Sequence, residues 1–134
     1  MTGLLYIGYV MLLGIPAMLF HESGHIVVAH LCGVKVKKVG LSRIGLYTIR
    51  EAGPNWANLC ISAAGPLVNL LLAIALRDVL ATFALVNVVA FAFNLLPLPN
   101  SDGKRIVAIL RASSSGIAWT ACSYGADRMQ PYQR

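Results

Sequence analysis

The chain has 134 residues, of which 57% are hydrophobic and only 12% charged, with a mean hydropathy of +0.70 and a net charge of +6. An average soluble domain carries about 25% charged residues, so this composition excludes an ordinary water-soluble globule and points to a one-domain membrane protein. The cysteines, Cys32, Cys60 and Cys122, lack the paired spacing of a thiolate metal site or a disulfide framework, and neither is expected.

The first apolar segment covers residues 3–31 and has no Lys or Arg. It is too long, and its start too uncharged, for a cleaved signal peptide. Pro16 within it frees the carbonyl of Leu12 and predicts a kink. Residues 34–50, VKVKKVGLSRIGLYTIR, are rich in β-branched residues and partly alternate apolar with basic, which predicts short strands with a turn near Ser42–Arg43. Unpaired strand edges are not tolerated in lipid, so this element belongs at the interface or against the helices.

A second apolar segment over residues 56–76 and a third over 79–98 follow, joined only by Arg77–Asp78, so they are expected to pack as antiparallel neighbours. Each segment is near the ~20 residues that cross a bilayer core of roughly 30 Å. The prolines and glycine of LLPLPNSDG stop the third, and the loop carrying Asp102 follows. The expected fold is an all-α membrane core of three transmembrane helices with a small interfacial β element between helices one and two. Residues 1–111 form that core, and residues 112–134 a polar tail of no readable role.

Basic residues fix an orientation. Ten of the eleven lie either between segments one and two or after segment three, and only Arg77 lies between segments two and three. The positive-inside rule places the 32–55 loop and the C-terminus in the cytoplasm and the N-terminus outside, in a multi-pass protein of the cell membrane. The basicity is thus topological. The lipid bilayer is the expected partner, and nucleic acid is not.

His21-Glu22-Ser23-Gly24-His25 reads HExxH. On a helix the histidines lie one turn apart on one face, about 6 Å along the axis, where both imidazoles can hold one zinc ion. Glu22 then stands beside the metal, where it can take a proton from water. Ionisable residues inside a membrane helix mark function rather than packing. A catalytic zinc takes three protein ligands and keeps a position open. Depth selects the third. His21 lies about 26 Å along its helix from Leu4, and a third helix from Val79 to Leu96 travels about 27 Å in the same sense. Asp102 therefore arrives near the histidines, whereas Asp78 lies at the opposite face. Glu51 and Asp127 lie outside the spans, and His30 falls off the ligand face.

Three stretches in order, HESGH at 21–25, GPLVN at 65–69 and NLLPLPNSDG at 94–103, make the chain resemble the site-2 protease family of intramembrane zinc metalloproteases. The resemblance implies one zinc ion on His21, His25 and Asp102, with Glu22 as general base. It also implies Asn94 as a group steadying the tetrahedral intermediate. Asn69, matching the end of the central motif, is a candidate for substrate binding or for helix–helix contact. Asn100 and Ser101 stand where the family usually has apolar residues, and Lys104 where it usually has glycine. The implied function is a zinc endopeptidase that cleaves peptide bonds within or near the transmembrane segments of membrane proteins, with zinc-bound water as nucleophile. The alternative is a catalytically inactive membrane zinc-binding module.

Overall fold

The computed structural model of the chain describes residues 3–42, 45–51 and 53–114, and the side chains of these except 41–47. The expected turn around Arg43 and the tail from residue 115 onward, with Asp127, lie outside the described residues. The order of elements is α1 (Gly3–Leu31), β1 (Val36–Ser42), β2 (Gly45–Arg50), α2 (Asn55–Leu76), α3 (Ala81–Leu95) and α4 (Asp102–Ser114).

Helix α1 has 29 residues and contains Pro16. It ends in a Schellman motif: Gly33 takes the left-handed conformation at φ 70°, its N–H donates to His30 O, and the N–H of Val34 reaches back to Ala29 O at 2.8 Å. Val34 and Ala29 are also buried together with Ala57 and Ile61 of α2, so the motif's hydrophobic contact belongs to a small core that ties α1, β1 and α2 together. Strands β1 and β2 form an antiparallel pair running from Val36 opposite Arg50 to Ser42 opposite Gly45, with an irregularity between Val36 and Lys38. This hairpin rests against α1.

Helix α2 is the centre of the molecule and touches α1, α3 and α4. Its inner face is unusual for so apolar a helix, because Asn58, Ser62 and Asn69 are all buried on it. Helix α3 has 15 residues rather than the 20 expected. Val79 and Leu80 belong to the turn that closes onto Leu76 O, and Pro97 forces Leu96 into an extended conformation at ψ 142°. At 1.5 Å per residue α3 is about 22 Å long. Two helices, α1 and α2, are therefore long and apolar enough to cross a membrane, and α3 is a shorter apolar helix.

Large apolar side chains face outward along both long helices. Leu4 is 82% exposed, Met11 72% and Leu71 65%. Exposed apolar surface of this extent marks a face that lipid or another protein covers, and the length and apolarity of α1 and α2 suit a membrane protein. Helix α4 was expected as a loop at its start. It is instead a helix from Asp102, and it continues past residue 111 into the segment expected as tail.

Candidate metal centre

His21 and His25 are both buried where α1 meets α2. Their Nε2 atoms lie 3.1 Å apart, and the rings meet edge to face. Asp102, the first residue of α4, brings Oδ2 to 3.1 Å from His21 Nε2 and 3.2 Å from His25 Nε2. The three atoms make a nearly equilateral triangle. Ligands held 2.0–2.1 Å from a tetrahedral zinc ion are about 3.3–3.4 Å apart, so the triangle matches one face of a zinc tetrahedron to within a few tenths of an ångström. The donor set, two imidazoles and a carboxylate, is also one that zinc takes.

Glu22 forms a wider group with the same histidines, its ligand atoms lying within 4.8 Å of theirs. The Asp102 triangle is the tighter of the two, and Asp102 is buried whereas Glu22 is half-buried. Asp102 Oδ2 thus closes a tight triangle with the two imidazoles, and Glu22 stands beside it.

Each group is held from behind. His25 Nδ1 donates to the carbonyl of Ile61 at 2.6 Å, which orients the ring with Nε2 toward Asp102. His21 Nδ1 lies 3.3 Å from the amide of Asn69, a residue only 1% exposed. The hydroxyl of Thr48, on β2, donates to Glu22 Oε2 at 3.1 Å. Arg105 Nη1 lies 3.6 Å from Asp102 Oδ1, the oxygen turned away from the histidines. Burial alone would push the Asp102 carboxyl up, but hydrogen bonding with the His21 and His25 imidazoles outweighs it and holds the group below the usual carboxylate range.

Two glycines allow this convergence. A Cβ on Gly65 of α2 would run into Nε2 and Cε1 of His25 and would lie 2.7 Å from His21 Cε1. A Cβ on Gly103 would collide with the carbonyl of Leu95 at the end of α3. The residues that depart from the family pattern have local work. Asn100 takes a left-handed backbone at φ 66°, which asparagine tolerates. The hydroxyl of Ser101 accepts from the N–H of Lys104 at 3.2 Å and so caps α4, while its own hydrogen faces Leu96 O and Leu98 O. Lys104 itself is exposed.

The site opens into a cavity of about 600 Å³ that Glu22, Asn69 and Asn94 also line. Asn94 is half-buried there and donates one amide hydrogen to Ala90 O at 3.0 Å. The other acidic candidates stand apart: Glu51 pairs with Lys37, Asp78 with Arg77, and neither lines the cavity. His30 is exposed. Thr48, the Ile61 carbonyl, Arg50 and Arg105 also meet the site, and no motif in the sequence names them. For Thr48 no spacing signals the contact, because a hairpin has to fold back across 26 positions. For Arg105 the signal was present in its i,i+3 spacing from Asp102.

No family model matches the chain. The chain is similar to a zinc metalloprotease of Methanocaldococcus jannaschii, with 33% identity over 113 residues, 75% of this chain and 33% of the relative. Its fold is similar to the solved Site-2 protease from Methanocaldococcus jannaschii, with a TM-score of 0.68 and 32% identity over 76% of this chain and 53% of that one. The chain therefore spans about one third of the curated relative's length and about half of the solved chain's. Agreement between sequence, fold and the buried histidine–aspartate cluster relates the chain to the site-2 protease family.

Proposed function

We propose that the chain is an intramembrane zinc endopeptidase acting on peptide bonds within or near the transmembrane segments of membrane proteins. The observation that carries this reading is the ligand triangle of His21, His25 and Asp102, with the Glu22 carboxylate beside it at the wall of a cavity.

His21, His25 and Asp102 would hold one zinc ion, which would supply Lewis-acid polarisation of a carbonyl and of water. Glu22 takes a proton from the attacking water and passes it to the leaving amine. The Thr48 hydroxyl occupies Oε2 of Glu22, so Oε1 is the oxygen left for the proton. Asn94 keeps one amide hydrogen beyond the one given to Ala90 O, and it offers this to the developing oxyanion. Asn69 acts as a positioning residue rather than a substrate contact. Its amide nitrogen lies 3.3 Å from His21 Nδ1, while its buried Oδ1 has no hydrogen-bond partner among the described residues. A neutral imidazole that ligates through Nε2 carries its hydrogen on Nδ1, so with zinc bound the amide would turn end over end and Oδ1 would accept that hydrogen, as Ile61 O does from His25. Arg105 steadies the free oxygen of Asp102.

In the bilayer, α3 and its flanking apolar residues make the third crossing. The N-terminus lies outside, and the 32–55 loop and C-terminus lie in the cytoplasm. The cavity gives water a route to the buried ligands, which hydrolysis within a membrane requires.

Zinc content and cleavage of a transmembrane substrate, measured in detergent for wild type, Glu22→Gln and Asp102→Asn, test the reading. Zinc should stay near one per chain in wild type and Glu22→Gln and fall in Asp102→Asn, while only the wild type cleaves. A zinc-loaded wild type that cleaves no better than Glu22→Gln would make the chain an inactive zinc-binding module.

A further inference from the structure

The cavity beside the metal ligands is also lined by two guanidinium groups, Arg50 at the end of β2 and Arg105 in the first turn of α4. Both are half-buried. Arg105 is engaged with Asp102 Oδ1. The Arg50 side chain donates no hydrogen bond to any described residue, and it feels the charge of Arg105. Burial first, and that neighbouring cation second, push the Arg50 guanidinium down, with the Asp102 charge opposing them. Arginine nonetheless keeps its proton in proteins. A partly desolvated cation without a fixed counter-ion is unfavourable, and an anion entering the cavity relieves it.

The charges in the cavity point the same way. With neutral histidines, Glu22 and Asp102 balance Arg50 and Arg105. A bound divalent ion then leaves the described lining of the cavity with two positive charges and no further anion among the described residues to offset them. Arg105 reaches Asp102 from one side, and Arg50 comes from the hairpin that also carries Thr48 to Glu22, so an incoming anion would lie beside the reacting groups. A planar guanidinium is the natural partner of a carboxylate, which it can hold through two parallel hydrogen bonds.

We propose that Arg50, with Arg105 beside it, forms a carboxylate-recognising subsite of this cavity, taking either an acidic side chain or the free C-terminal carboxylate of the peptide substrate. The proposal rests on the protease reading and names part of its substrate preference.

The test uses four short apolar peptides carrying an uncharged fluorophore: a central Glu or Gln, each with a free or an amidated C-terminus. Their binding to the zinc-loaded full chain is followed by fluorescence anisotropy in the Glu22→Gln background, where turnover is blocked. A charge-assisted pair predicts that at least one carboxylate peptide binds about ten-fold more tightly than the Gln amide. The Glu amide and the Gln free acid tell the two carboxylate sources apart. Arg50→Gln should erase the preference, and Arg50→Lys should retain part of it. Equal affinity for all four peptides, binding of none, or a preference untouched in Arg50→Gln overturns the subsite. The first two outcomes need no arginine variant and so stand even where Arg50→Gln fails to fold. Cleavage of the same peptides by the wild type separates the two readings. A carboxylate preference in binding without any cleavage leaves the subsite standing and removes the protease, whereas cleavage without preference does the reverse.

Discussion

Gly65→Ala perturbs the centre through geometry alone. The added methyl would sit 2.6 Å from His25 Cε1 and 2.7 Å from His21 Cε1, where ordinary contact begins near 3.4 Å. The rings, or α1 as a whole, must retreat by at least the difference, about 0.7–0.8 Å, and by more at His25 Nε2, which the methyl approaches still closer. Zinc sites hold their ligand distances to about ±0.2 Å, so a retreat of this size breaks the triangle instead of stretching it. The expected result is a loss of zinc affinity of at least ten-fold, together with an overpacking penalty of about 1–3 kcal/mol. Competitive titration against a chromogenic zinc chelator in detergent reads the first, and a thermal melt reads the second. Gly8→Ala is the control, since a Cβ there meets nothing within 4 Å. It should keep zinc affinity and gain a few tenths of a kcal/mol, up to ~1, from helix propensity. Wild-type zinc affinity in Gly65→Ala would refute the close packing of α2 against the two imidazoles.

Asn69→Ala should weaken zinc binding about 10–100-fold with little change in melting temperature, as chelator titration and melts will show. Ser101→Ala removes the cap of α4 and should lower stability by about 1 kcal/mol, whereas Ser101→Asp, which restores an acceptor, should recover most of it by the same melt. Thr48→Val should lower kcat more than it changes KM while zinc stays bound, and Thr48→Ser should restore kcat. Equal loss in the Val and Ser variants would show that the hydroxyl does not position Glu22.

Much of the site is legible in the sequence because it follows from periodicity. Residues 21 and 25 share a helix face wherever they lie in a helix, and counting rise along two segments that run in the same sense brings Asp102 to their depth. What sequence does not carry is contact made by folding back. The Thr48–Glu22 and Asn69–His21 pairs join elements whose relative rotation no local pattern encodes. Helix α4 hides for a different reason. Its first residues, NSDGK, have turn composition, and only the Ser101 hydroxyl on the Lys104 N–H shows that the turn is a helix cap. The third segment is apolar for twenty residues, yet apolarity does not record that Pro97 cuts the helix short. In the sequence Arg50 and Arg105 read only as topological charge, since a positive-inside tally is blind to which side chains line a cavity.

The most direct measurement is the mass of the products released when the zinc-loaded chain is reconstituted in liposomes with a single-span membrane peptide. The account predicts one or a few cuts within or next to the membrane-spanning segment, lost on zinc removal and lost in Glu22→Gln with its zinc retained. Cuts confined to the water-exposed ends of the peptide, or the same products from Glu22→Gln, would contradict it.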